Sequence, residues 1–212
     1  MSACCQGVEE VFGEKTARHD LRRYRKRGPS RPTRVLLEAI VHEGVQNTGV
    51  LDIGGGVGVI QQELLAAGAA RATAIDASAA YLRAAQEEAE RRGTAAQITY
   101  HAGDFVAIAD RIEPADLVTL DRVICCYPDM EQLVGRSAER ARRVYGLVYP
   151  HDRWWVRLGV RVANLVLRLS RRTFRVYVHR ASAVDAAVRA HGLTPKLRRR
   201  VGPVWQVVLY TR

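Results

Sequence analysis

Val50-Leu51-Asp52-Ile53-Gly54-Gly55-Gly56-Val57-Gly58 is a short apolar run that ends in a glycine-rich turn, and its reading decides the fold. The apolar run suits a strand buried on both faces of a parallel sheet. The glycines that follow let the backbone approach a ligand closely, beside the unpaired amides of a helix N-terminus. Which ligand depends on the spacing. A dinucleotide fingerprint places its third glycine three residues after its second, whereas Gly54, Gly56 and Gly58 alternate and position 59 is Val. No Gly-Lys-Ser/Thr follows, so a nucleoside-triphosphate P-loop is excluded.

Outward from that turn the chain alternates between the two kinds of element. Strands are predicted at 72–75, 98–101, 116–120 and 145–149, and helices at 57–67, 78–92, 105–111 and 129–143. Such alternation implies right-handed crossovers and a parallel sheet. A helix over 181–191 precedes strands at 196–200 and 204–211, which Gly202-Pro203 separates into a closing hairpin. The predicted fold is α/β: a Rossmann-like, mostly parallel seven-stranded sheet flanked by helices, with an antiparallel C-terminal hairpin. Residues 1–32 read as a helical appendage (about 6–27) and linker, and 33–212 as the main domain, entered by a helix over about 33–44.

The glycine turn resembles the first motif of class I S-adenosylmethionine-dependent methyltransferases, and later landmarks follow in order. Ala74-Ile75-Asp76-Ala77-Ser78 is similar to the second-strand end, where the resemblance implies an acid holding the ribose hydroxyls. Gly103-Asp104-Phe105 resembles the third-strand end that addresses the adenine, and Asp121-Arg122 stands where the fourth strand ends beside the methionine moiety and the acceptor. The resemblance covers residues 50 to about 150 and implies S-adenosylmethionine as cofactor, held by Asp52, Gly54, Gly55, Gly56, Gly58, Asp76, Ala77, Asp104, Phe105, Asp121 and Arg122. More distantly, the chain is similar to magnesium-protoporphyrin O-methyltransferases. Physical chemistry agrees: a carboxylate accepts both hydroxyls of a ribose, and acidic surroundings favour a sulfonium and an ammonium. Each of these aspartates alone could equally be a helix cap or turn residue. All four fall at predicted strand ends, where open α/β sheets bind ligands.

Methyl transfer is an in-line displacement that asks mainly for positioning and, for some acceptors, a base. The expected catalytic candidates are Tyr127, after the fourth strand, and His151, after the fifth; a loop histidine with a purely structural role is the alternative for the latter.

Charge is distributed unevenly. Residues 1–135 carry 15 Lys and Arg against 19 Asp and Glu, a net of −4, whereas residues 136–212 carry 18 against 3, a net of +15. A basic C-terminal third suits nucleic acid, an anionic membrane surface or an acidic substrate. Within it, residues 152–172 place Arg153, Arg157, Arg161, Arg168, Arg171 and Arg172 on one side of a helix, opposite Trp154, Trp155, Leu158, Val162, Leu165, Val166 and Leu169. Three roles fit: packing on the domain, a cap over the substrate site, or an interfacial helix on anionic lipid. No run reaches the roughly 20 apolar residues of a membrane span, and the N-terminus carries no signal-peptide pattern, so a cytoplasmic protein is expected, with a peripheral membrane position open. The paired cysteines Cys4-Cys5 and Cys125-Cys126 read as reduced thiols; a metal or metalloid site built from both pairs lacks the usual ligand spacing, and no metal is expected.

Methyl transfer to a small acceptor, apolar or anionic, is the leading functional expectation. A nucleic-acid methyltransferase or basic RNA-binding protein is the second, suggested by the C-terminal charge and Arg198-Arg199-Arg200, although Asp121-Arg122-Val123-Ile124 stands where an Asn/Asp-Pro-Pro-Tyr/Phe motif would be. A non-catalytic cofactor-binding scaffold at a membrane surface is the third.

Overall fold

In a computed structural model, which describes residues 7–212, the strands are β1 (Gly49–Ile53), β2 (Arg71–Asp76), β3 (Ile98–Ala102), β4 (Ala115–Asp121), β5 (Ala141–Pro150), β6 (Thr194–Val201) and β7 (Trp205–Thr211). They form one sheet in the order β3-β2-β1-β4-β5-β7-β6. The first five run parallel, and β7 pairs antiparallel with both β5 and β6. The expected closing hairpin is therefore present, with β7 seated inside the edge strand β6. Strand order reverses direction between β1 and β4, and at such a switch point the following loops diverge and leave a crevice.

Along each central strand successive side chains enter opposite faces of the sheet, both of them covered. Leu51 and Ile53 of β1 and Val118 and Leu120 of β4 enter one core with α7 (Met130–Glu139) and α9 (Ala181–Arg189). Val50 and Leu117 face the other, against α3 (Arg31–His42) and α4 (Val59–Ala66). Asp52 and Thr119, direct partners in the β1–β4 register, share that second face, which puts a carboxylate in the core.

At the N-terminus the expected single helix is two, α1 (Val8–Val11) and α2 (Glu14–Arg27), parted at Phe12-Gly13; residue 6, where it was expected to begin, and the Cys4-Cys5 pair lie outside the described residues. Ala17, Leu21 and Tyr24 form the buried stripe of α2, packed with Ala80, Tyr81 and Ala84 of α5 (Ala79–Arg92). Arg25 ties the two helices at their rim, donating to Glu88 Oε2 at 2.8 Å and Glu87 Oε1 at 2.9 Å. The helix expected to run to residue 143 stops at Glu139, and β5 takes residues 141–150 instead. The short helix expected at 105–111 is α6 (Phe105–Ile108) followed by a 3-10 turn. Among the described residues no helix is long and apolar enough to cross a membrane.

Candidate functional site

At the carboxyl ends of β1, β2, β3 and β4, the switch-point crevice opens into a cavity of about 530 Å³. The glycine turn forms its floor. Gly54 leaves β1 with φ +66°, its amide donating to Ile75 O at 2.7 Å, and a Cβ there would fall 2.4 Å from Val123 Cγ2. Any side chain at this point would drive the turn away from the loop after β4. Gly56, at φ +56°, points its amide at Asp76 Oδ2, 2.9 Å away. Gly54, Gly55 and Gly56 line the cavity, whereas Gly58 is the N-cap of α4 one step behind it.

Around this floor stand the strand-end carboxylates. Asp76 closes β2 and accepts from the Gly56 amide and, at 2.8 Å, from the Ser78 amide; burial holds its carboxyl above the usual carboxylate range. Asp104 caps α6, accepting from Val106 N at 3.0 Å, and also receives the Tyr127 hydroxyl at 3.1 Å. Asp121, at the end of β4, accepts from Thr33 Oγ1 of α3 at 2.6 Å and from Arg122 Nε at 3.1 Å. Arg122 itself sits at φ +63°, a costly conformation for a side-chain-bearing residue, pinned by its amide on Val148 O at 2.8 Å. Ala77 and Phe105 complete this part of the wall.

Asp52 behaves differently. Its side chain is fully buried behind the turn, accepting from Thr119 Oγ1 at 2.7 Å and Gln61 Nε2 at 3.1 Å. Burial pushes its carboxyl up to about 7, with Asp121 and Asp76 adding repulsion. Gln61 Oε1 beside it is buried with no hydrogen-bond partner, so the Gln61 amide can serve either protonation state of Asp52 by turning over.

Residues that the sequence reading did not single out supply much of the remaining wall. From α2, Asp20 and Tyr24 line the cavity; Tyr81 donates to Asp20 Oδ2 at 2.6 Å, and Tyr24 to Glu63 Oε1 at 2.6 Å. Phe12 meets Tyr81 and Phe174 edge-on, with centroids 5.8 and 5.4 Å apart. Past the end of β4 the lining becomes mostly apolar: Val123, Cys125, Cys126, Tyr127, Phe174, Val176 and Trp205. His179 shapes that end from behind, its Nε2 3.1 Å from both Ile124 O and Tyr127 O, with burial lowering its pKa.

Of the two expected catalytic residues, Tyr127 lies on the cavity wall. His151 is not among the lining residues. It is buried under the β7 start, where its amide donates to Val204 O at 2.9 Å and its ring meets Trp155 edge-on at 5.8 Å. Pro150, the residue before it, pairs with Trp205 at the end of the β5–β7 ladder.

Residues 50–144 match the family model described as "Methyltransferase domain". The matched segment, from β1 into β5, is similar to methyltransferase domains and spans the strand ends around the cavity. No curated protein matches the chain in sequence. Among solved structures it is similar to magnesium protoporphyrin IX methyltransferase from Synechocystis PCC 6803 with bound S-adenosylhomocysteine, at 19% identity and TM-score 0.72, covering 97% of each chain. An O-methyltransferase family protein from Burkholderia thailandensis shares 14% identity at TM-score 0.71, covering 98% of this chain and 63% of that one. An S-adenosylmethionine-dependent methyltransferase from Mesorhizobium loti shares 16% identity at TM-score 0.62, covering 83% and 95%. At these identities the likeness speaks for the fold.

Proposed function

We propose that the chain is a class I S-adenosylmethionine-dependent methyltransferase acting on a small acceptor, apolar or anionic, seated in the half of the cavity beyond β4. The observation that carries the reading is the polarity of one cavity, acidic and glycine-floored at the strand ends and mostly apolar past Val123. Its size is within the range of small-molecule and cofactor sites. S-adenosylmethionine, when bound, supplies a methyl carbon already activated by a sulfonium.

The donor set fits that cofactor. Asp76 has two oxygens for the ribose hydroxyls, and the Gly54 to Gly56 backbone leaves the room that a Cβ would take. Asp104 and the Phe105 amide are assigned to the adenine edge, and Asp121 with Arg122 to the methionine end. Asp52 acts through the turn it supports, and Gly58 by starting α4. Phe12, Phe174 and Trp205 keep water from the acceptor, and Tyr127, anchored on Asp104, positions it. With its ring off the cavity, His151 is given no proton-transfer step.

Asp76→Ala is expected to weaken S-adenosylmethionine binding by about 1–3 kcal/mol, through loss of charge-assisted hydrogen bonds. Calorimetry on wild type and variant measures this, with thermal melts to confirm folding; an unchanged dissociation constant would remove Asp76 from the site. Production of S-adenosylhomocysteine with a panel of small acceptors tests the reaction. Salt-sensitive binding of RNA together with RNA methylation would favour the nucleic-acid alternative instead.

A further inference from the structure

The helix α8 (Trp154–Leu169) turns its apolar side away from the protein. Trp154 is 72% exposed, Leu169 75%, and Leu158, Val162, Leu165 and Val166 each exceed 50%. These residues do not pack on the domain; a different, narrower face holds the helix in place. Val156 is buried there, and Asn164 clamps the returning chain, donating from Nδ2 to Val176 O at 2.8 Å and accepting from Val176 N at 2.9 Å through Oδ1. Trp155 Nε1 reaches Pro203 O at 3.4 Å, and Arg153 stacks over the Trp155 ring at 4.8 Å. A continuous apolar stripe of this length in water is costly, and it marks a surface that something covers.

We propose that the outward face of α8 docks this protein on an anionic lipid surface. Charge complementarity selects the occupant. Residues 153–172 contain six arginines and no Asp or Glu, and Arg157, Arg161 and Arg168, the three within the helix, fall by helical spacing beside the apolar stripe. A helix lying in the headgroup plane buries Trp and Leu at the acyl boundary while arginines beside them meet lipid phosphates. A second copy of this chain on the same face would set arginine rows against each other with no acidic partner on either helix. Spanning is excluded for α8 by its length and hydropathy, so the attachment is peripheral. The inference rests on α8 alone and stands apart from the methyl-transfer reading.

Co-sedimentation with phosphatidylcholine vesicles, with and without phosphatidylglycerol, tests it. The wild type is expected to pellet with phosphatidylglycerol vesicles at low salt and to be released at about 1 M salt, where the screening length falls to about 3 Å. R161Q/R168Q/R171Q should bind on the order of a hundredfold more weakly, about fivefold per arginine. Leu158→Ser/Leu165→Ser/Leu169→Ser should abolish binding, and neither triple variant should lower the melting temperature or cofactor affinity, because the altered side chains are exposed. Independently of any variant, tryptophan emission of the wild type should shift to the blue on adding phosphatidylglycerol vesicles. Absence of wild-type binding, or equal binding to neutral vesicles, would overturn the proposal. So would undiminished binding by the serine variant, which would leave only a general polyanion site such as RNA uses. A lipid-free dimer that the serine variant dissolves would assign the face to a second copy and overturn it too.

Discussion

Gly56→Val is expected to give a folded protein without measurable affinity for S-adenosylmethionine. Gly56 holds φ +56°, a region that costs a β-branched residue about 1–2 kcal/mol or more, and its amide is fixed on Asp76 Oδ2. A Cβ there would already stand 3.4 Å from Tyr81 Cδ1, so the valine methyls must enter the cavity or displace the Tyr81 ring. Either movement disturbs the Gly56–Asp76 pair, the proposed ribose site. The sheet beneath has no stake in the substitution, since Leu51, Ile53 and Ile75 pack below the turn. A melting transition within a few degrees of wild type, with no heat of cofactor binding, is the expected result. Normal binding by the variant would mean that the turn is not the cofactor floor, and would sink the assignment of Gly54 to Gly56 together.

How far this site can be read from sequence depends on how local its causes are. The glycine turn and the strand-end acids Asp76, Asp104 and Asp121 follow from short-range pattern, because an apolar run followed by turn chemistry places a residue at a strand end whatever its neighbours do. Asp52 belongs to the same motif, yet its partner Thr119 is 67 residues away and meets it only through the β1–β4 register. The contribution of α2 was equally hidden. Its buried stripe of Ala17, Leu21 and Tyr24 has helical spacing, but a polar helix with three buried residues does not reveal which surface it covers. At residues 140–143, Arg-Ala-Arg-Arg consists of good helix formers, and the ladder between β4 and β7 overrides that preference. For α8 the two faces were legible and their orientation was not, because Val156 and Asn164 define a third face too small to register in the pattern.

Asp52→Asn is expected to stabilise the protein at neutral and alkaline pH and to flatten its pH dependence. The folded carboxyl titrates at about 7, well above the unfolded value near 3.9. Between those values the unfolded chain has lost the proton that the folded chain keeps, so unfolding releases a proton and stability falls as pH rises through the window. The stabilisation is complete below about pH 4 and gone above about pH 7, and a shift of about three pH units sets an upper bound of ~4 kcal/mol. Asparagine is neutral throughout. Its Oδ1 can accept from Thr119, and its amide can donate to the unpartnered Gln61 Oε1 once the Gln61 amide turns over. Chemical denaturation from pH 4 to 8 should show wild type and variant converging at the acid end and separating toward pH 8. A constant difference across that range would mean that Asp52 is ionised throughout in the folded protein. The same titration reports on the cofactor, because a cation bound beside Asp52 favours its charged form. S-adenosylmethionine affinity in the wild type should then rise with pH through about 7, while the asparagine variant loses that rise; a pH-independent affinity in the wild type would place the cationic end of the cofactor away from Asp52.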